Sequence, residues 1–472
     1  MTIEKPYSQS QWLKLPSWAK QYVVRLEETA AKQQAQIASL SLQILEQGKK
    51  IDDLAARLNQ NSTNSSKPSS TDNPYQKPKR VIERSGRKQG GQKGHSGHKQ
   101  KLLNPTEEVD VMPSACECGN DQLDPDLMSP FYTHQEIELP EIKMEVTHFI
   151  LHQTVCRQCG KIVKATLPKG HHTGYGPRFS ASAELSGTQG NSRRAVQEFI
   201  NSVFRVPISL GAIQKNIDRT SEAIKPIYDR LGRVARKARI NHIDETSWYM
   251  KHQLVWLWVM VNSSVAYFMV QKHRSKEAFL SLIKEWTGIL VSDNYGVYRN
   301  WVSLRQTCLA HLIRRAKGLA ERSDQGVSRF GQNAQECLQL LCSWAEDPPG
   351  LEEWNSFYAR FIDLVFAHNL RQDEAGVFAR LLIREIDFLW VFLEVQGVDP
   401  TNNLGERTLR FGVLWRKRPH GTQSEKGNRW VERMLSLKQT CRMKQLPTFS
   451  ILVSAIEAYY RGQKPDLRWV TK

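Results

Sequence analysis

The sequence predicts an α/β multidomain protein: a mixed-sheet core set behind an N-terminal coiled coil, a small β module built on paired cysteines, and a helical domain. Three observations carry that expectation. Strand-like and helix-like runs alternate between Asn241 and Asp293, apolar residues recur at heptad spacing over residues 20–58, and four of the eight cysteines fall in two close pairs. At 472 residues the chain has room for about three domains of ordinary size. Shifts in composition divide it into 1–60 (N-terminal helix), 61–103 (basic linker), 104–170 (cysteine module), 171–238 (helical domain), 239–425 (the mixed-sheet core) and 426–472 (C-terminal helices).

The formal net charge of +18 favours a polyanionic partner, nucleic acid ahead of an anionic membrane surface. The first residues, MTIEKPYSQSQWLKL, lack the apolar core of a signal peptide. The longest apolar stretch, Leu254 to Val270, is broken by Asn262-Ser263-Ser264 and reads as two buried strands joined by a turn, not as a membrane span. Eight cysteines in a chain of this size do not make a disulfide scaffold. A reducing, cytoplasmic setting without a membrane partner is the expectation.

In the N-terminal segment Val23, Leu26, Ala30, Ile37, Leu40, Ile44, Ile51, Leu54 and Leu58 occupy the a and d positions of one heptad frame, with Gln33 and Gln47 at two d positions. That pattern predicts a modest coiled coil and hence a homodimer or higher oligomer. Beyond Asn59 the composition turns polar. Between Lys67 and Lys101 ten Lys or Arg face two acids, so the segment reads as a flexible linker able to order on a phosphate backbone. Residues 176–238 read as helices, and Ser209 is placed to cap one that begins at Leu210, giving a helix-turn-helix outline.

Cys116-Glu-Cys118 and Cys156-Arg-Gln-Cys159 are each followed by glycine, at Gly119 and Gly160. Two such knuckles supply four thiolates, the donor set of a closed structural zinc site. His95, His98, His171 and His172 are possible substitutes. Cys308, Cys337, Cys342 and Cys441 show no pairing and read as core thiols.

The core begins with HIDETSWYM, followed by QLVWLWVMVN and VAYFMVQ, a helical KEAFLSLIKEW, and GILVSD. Three antiparallel strands, a crossover helix and a fourth strand parallel to the first would set Asp244 beside Asp293. Two carboxylates forced together repel unless a cation lies between them, and hard oxygen ligands suit magnesium or manganese. Asp244 and Glu245 point to opposite faces of the strand, so only one can join the site, and periodicity does not decide which. A third acid is available in DPTNNLGERTLR, where Asp399 could cap a helix starting at Pro400 and carry Asn402, Asn403, Glu406 and Arg410 on one face. Glu374, Glu385 and Glu394 are the alternatives.

Asp-Glu-Thr at 244–246, Ser-Asp-Asn-Tyr at 292–295, Cys-Leu-Ala-His at 308–311 followed by Arg314 and Arg315, and Thr-Asn-Asn-Leu-Gly-Glu-Arg at 401–407 occur in that order. Together they resemble the DDE transposases of the insertion sequence 66 family. The paired cysteines, Asn61, Ser62, Ser65-Ser66-Lys67-Pro68 and Gly90-Gly91-Gln92-Lys93-Gly94-His95 resemble that family's N-terminal half. Asn294 stands where the family often has Gly, and Gly405 where it often has Ala. The resemblance implies a ribonuclease-H-like core with Asp244, Asp293 and Glu406 as a catalytic triad holding magnesium or manganese, and a helical insertion over about 327–397 before the third acid. It also implies cleavage of element ends, transfer of the 3′ hydroxyl to target DNA, and partners that include terminal inverted repeats and element-encoded accessory proteins. His311, Arg407, Arg410, Arg416, Lys417 and Arg418 are the candidate DNA contacts. A metal nuclease or resolvase of the same fold, and a zinc-containing DNA-binding regulator without catalysis, are the rival readings.

Overall fold

The computed structural model describes residues 8–65, 67, 101–171, 173–188 and 190–471. The basic stretch 68–100, with its Gly90-to-His95 motif and His98, lies outside them, as do Ser66 and His172. The chain divides into two compact units, one within 75–148 and the other made of 1–74 and 149–472.

In the first unit the described residues are largely irregular around one 3-10 turn, Pro125–Leu127. In the second, β1 (Gln153–Val155) and β2 (Ile162–Lys164) form a short antiparallel ribbon. The β-rich module expected over 104–170 is therefore corrected to this single ribbon among the described residues. The reason is burial: Val109, Val111, Phe131, Val146 and Ile150 all stay exposed, so no sheet face has a core to cover.

After a five-residue helix α1 (Gln9–Leu13), α2 (Ser17–Leu58) runs for 42 residues and buries none of them. Leu26, Ile37, Leu40, Ile44, Ile51 and Leu54 keep about half or more of their surface exposed. The polar residues that follow depart from a flexible linker. Thr63 N–H donates to Asn61 Oδ1 at 2.8 Å, and Asn61 N–H donates to Asn64 Oδ1 at 2.8 Å, closing a turn. Asn64 is buried and its Nδ2 donates to Glu321 Oε2 at 2.6 Å, anchoring the turn on the helix that carries the Cys308–His311 motif.

Helices α3 (Pro177–Gly187), α4 (Arg193–Val203) and α5 (Leu210–Ala235) follow. Ser209 Oγ accepts from Ala212 N–H at 3.1 Å, so α5 starts where the capping residue sets it. Val196, Ile200, Ile208 and Ile213 close a small core between α4 and α5.

The sheet is then laid down by β3 (Ile240–Met250), β4 (Gln253–Val261) and β5 (Ala266–Gln271), joined as an antiparallel meander. The β4–β5 turn forms because Asn262 Oδ1 accepts from Ser264 N–H and Val265 N–H. Helix α6 (Lys276–Ile283) crosses over to β6 (Ile289–Ser292), which lies parallel to β3 with Ile240 opposite Ile289 and His242 opposite Val291. After the single turn α7 (Gly296–Arg299), β7 (Arg305–Thr307) completes the order β5-β4-β3-β6-β7. Sequence periodicity misses β7, because its three residues, Arg305, Gln306 and Thr307, are polar although buried.

Helix α8 (Leu309–Ala320) leads into α9 (Gln325–Ser343), α10 (Leu351–His368), α11 (Glu374–Arg384) and the short α12 (Val391–Glu394). Phe330 and Leu338 of α9, Phe361 of α10 and Phe378 of α11 pack in one core. Helix α13 (Asn403–Lys417) returns to the sheet, and α14 (Glu425–Met443) and α15 (Thr448–Tyr460) end the fold. Helix α14 seals the β5 edge: Glu432, Ser436 and Thr440 accept from Val270, Phe268 and Ala266 N–H at 2.5, 2.9 and 3.1 Å. Four residues of helix advance about 6 Å and two residues of strand about 6.6 Å, so the two periods stay in step along the edge.

Candidate active site

The site forms where β3 and β6 run side by side. Asp244 lies two residues beyond the His242–Val291 pair, within β3, and Asp293 immediately follows β6, so parallel pairing sets the two acids level with each other. Asp244 Oδ1 accepts from Glu245 N–H at 2.9 Å, and Asp293 Oδ1 from Tyr295 N–H at 3.0 Å. Burial and the nearby charges of Glu245, Asp293 and Glu406 push Asp244 well above the usual carboxylate range. Burial also raises Asp293, against the pull of Tyr295 N–H and Arg274. Among the described residues no cationic side chain forms an ion pair with either.

Glu245 points the other way and meets a cage. Arg274 Nε donates to its Oε1 at 2.6 Å, Tyr298 O–H donates to its Oε2, and Arg274 stacks over the Tyr295 ring at 3.8 Å. Burial and Asp293 still lift its pKa to about 7. Of the two neighbours on β3, Glu245 is already partnered within the protein and Asp244 is not.

Helix α13 brings the third acid, and its start differs from the expectation. The helix begins at Asn403 with Asn402 before it, and Asp399 does not cap it. Asp399 instead lies 3.3 Å from His242 Nε2. Asn402 is fully buried because its side chain bonds β3: Nδ2 donates to Ile243 O at 3.0 Å, and Oδ1 lies 3.2 Å from His242 Nδ1. A Cβ on residue 405 would stand 2.7 Å from Asn402 Oδ1, which is why glycine follows there. Asn402 was legible as a polar helix residue; its role in docking α13 on β3 depends on contacts 159 residues apart in the chain.

Glu406 is thereby held close enough to raise Asp244. Its carboxylate is turned toward α8, with Oε1 3.3 Å from Arg314 Nη2 and 3.6 Å from His311 Nδ1. Among the described residues the only three potential ligands whose atoms all approach within 4.8 Å of one another are Cys308, His311 and Glu406. The three carboxylates stand farther apart than that. The other candidate third acids are engaged or remote. Glu374 takes a two-pronged bond from Arg322 at 2.7 and 3.1 Å, Glu385 pairs with Arg305 at 2.6 Å and Thr307, and Glu394 is exposed on the insertion.

Among the proposed DNA contacts, Arg407, Arg410, Lys417 and Arg418 are exposed along or just beyond α13. Arg416 is turned inward, its Nη1 donating to Thr246 Oγ1 at 3.1 Å and to Ser247 O, so it braces β3. His311 is half-buried, and burial together with Arg314 lowers its pKa to about 3, leaving a neutral imidazole.

A model of the Transposase IS66 family matches residues 193–429, just over half of the chain. The chain belongs to the IS66 family of transposases. That match takes in Asp244, Asp293, His311 and Glu406, and it leaves out the paired cysteines. A family of unknown function (DUF6444) matches residues 20–101, the long α2 and the segment after it. No curated protein matches the chain.

Each cysteine pair of this IS66-family chain forms a knuckle within its own unit. Gly119 N–H donates to Cys116 O at 2.8 Å with Gly119 at φ +90°, and Gly160 N–H donates to Cys156 O at 2.9 Å with Gly160 at φ +70°. Backbone N–H groups of Cys118 and Cys159 lower the pKa values of Cys116 and Cys156 respectively. Cys308, Cys337 and Cys441 are buried thiols. No described helix is long and apolar enough to cross a membrane.

Proposed function

We propose that this chain is a DDE transposase that cleaves the ends of an insertion sequence and joins the freed 3′ hydroxyl to target DNA. The observation that carries the reading is the crowding of Asp244 by Asp293 and Glu406, with no ion pair on either aspartate among the described residues. The strand order β5-β4-β3-β6-β7 supports a ribonuclease-H-like core. Family membership supports DNA as substrate.

The donor set fits hard divalent cations. Asp244 and Asp293 are crowded carboxylates with no ion-pair partner among the described residues, and Glu406 sits on an adjoining helix, a third exposed. These three residues would hold magnesium or manganese, which supplies charge neutralisation at the attacking and leaving oxygens of the phosphodiester. The protein's own groups position the reaction. Asn402 fixes α13 on β3, Arg314 restrains Glu406, and Arg407, Arg410, Lys417 and Arg418 present positive charge to the DNA backbone. Water attacks the phosphodiester at each element end, and the departing oxygen becomes a 3′ hydroxyl as it gains a proton. That hydroxyl attacks a target phosphodiester in the same way, so one P–O bond forms as one breaks.

The exposed a and d positions of α2 support dimerisation through a coiled coil. The paired spacing of Cys116, Cys118, Cys156 and Cys159 in the sequence is what favours them as ligands of a structural zinc ion. The setting is the bacterial cytoplasm at the nucleoid, with element-encoded helpers as further partners.

The test is to incubate the full chain with labelled element-end DNA, a plasmid target and manganese, beside Asp244→Ala. Joined products that vanish in the variant are expected. Nicking alone supports a nuclease, and binding without cleavage a regulator.

A further inference from the structure

Cys308 and His311 lie one helical turn apart at the start of α8, and Glu406 reaches them from α13. Cys308 joins three segments: its N–H donates to Ser292 O at 2.9 Å, its Sγ accepts from Asn402 N–H at 3.1 Å, and the next residue, Leu309, donates its N–H to Pro400 O at 3.0 Å. Burial pushes the Cys308 thiol up to about 12 against the pull of the Asn402 and His311 backbone N–H groups, so the sulfur enters the site as a thiol that must lose its proton to bind a metal. His311 Nδ1 is buried, has no hydrogen-bond partner among the described residues, and lies 3.6 Å from Glu406 Oε1. An orphaned buried nitrogen of this kind is costly. Glu406 keeps 34% of its side chain exposed, which leaves an ion a way in.

We propose that Cys308, His311 and Glu406 bind a thiophilic divalent cation of the zinc class, at a site distinct from the hard-cation site and competing with it for Glu406. Thiolate with imidazole selects zinc or cobalt over magnesium. The buried, unpartnered Nδ1 of His311 is the imidazole nitrogen on offer to the ion. Arg314, 3.3 Å from Glu406 Oε1, offsets one of the two anionic ligands. Cys308 releases its proton to solvent as the sulfur–metal bond forms. Occupancy draws Glu406 toward α8 and away from Asp244 and Asp293, so zinc inhibits strand cleavage. That consequence rests on Glu406 being the third acid; the binding itself does not.

Cobalt(II) bound by the full chain without DNA tests the site. The paired cysteines also take cobalt if they are zinc ligands, so the readout is a difference among chains that all keep them. Wild type should hold one more tightly bound cobalt per chain than Cys308→Ser, with stronger sulfur-to-cobalt absorption. Glu406→Gln, which keeps the thiol, should weaken that ion about tenfold or more, and excess magnesium should not displace it. Equal stoichiometry and equal spectra in all three chains would overturn the proposal. Should Cys308→Ser fail to fold, His311→Ala and Glu406→Gln decide it by the same measurements. If no chain cleaves or joins DNA, the transposase reading fails while the cobalt result still stands.

Discussion

Asp244 and Glu245 are consecutive on β3 and meet opposite surroundings. On one face Asp244 has two other carboxylates nearby and no cation; on the other, Glu245 has Arg274, Tyr298 and a stacked aromatic wall. The comparison separates two uses of a buried charge. The caged acid is compensated inside the protein and holds the sheet to the segment after β6. The uncompensated acid costs stability in the protein alone, the usual sign of a group arranged for a ligand.

The sharpest way to break this contrast is to remove the acids in turn. Asp244→Ala and Asp293→Ala are each expected to lower end cleavage and joining by roughly a thousandfold or more while the chain still binds end DNA. Gel assays of cleavage and of binding on the same substrate check this. Asp244→Asn also removes a repulsion, so without divalent ions it should raise stability by about 0.5–2 kcal/mol. Glu245→Ala should do the reverse. It strands Arg274 and the Tyr298 hydroxyl and should cost about 3 kcal/mol in denaturant unfolding. If both variants shift stability in the same direction, the two faces do not differ as described.

A third acid extends the comparison away from the site. Glu184 on α3 is sealed against Trp430 Nε1–H, and burial pushes its pKa up to about 8. A carboxyl with a raised folded pKa binds more protons folded than unfolded. Its contribution is therefore full below the unfolded value, near 4.5, and is lost as pH rises through about 8. Thermal stability should fall across that window, with Glu245 and Glu432, both lifted to about 7, contributing in the same sense. Glu184→Gln should flatten the fall in melting temperature measured from acid to mildly alkaline pH. The smallest effect belongs to the exposed face of α13. Arg407→Ala or Arg410→Ala should weaken DNA binding modestly and reduce the salt dependence of log K by about 0.9 per lost phosphate contact. Binding titrations over a range of salt read that slope.

Several features were legible before any coordinates. The meander, the crossover to β6 and the turn at Asn262 follow from apolar runs and the residues that break them, and Ser209 marks the start of α5. What was missed is polar and long-range. Strand β7 is built from Arg305, Gln306 and Thr307, which are buried only because Glu385 and the backbone at Leu389 receive their donors. Asp399 looked like a cap because local spacing allowed it, but His242 on β3 claims it. Arg416 looked like part of a basic run, and β3 takes its guanidinium.

By itself the sequence determined the meander, the crossover to β6 and the start of α5, where acids, cysteines and basic residues fall, and the family resemblance that the domain match bears out. Those properties depend on residue type and local period, which the chain carries along its length. Only the tertiary structure decided which of two adjacent acids is left without an ion pair, which glutamate comes near it, and that Cys308, His311 and Glu406 come together. Such decisions rest on contacts between residues separated by roughly 30 to 170 positions, such as Arg274 to Glu245 and Arg416 to Thr246, and no local pattern records which partner a charge will find.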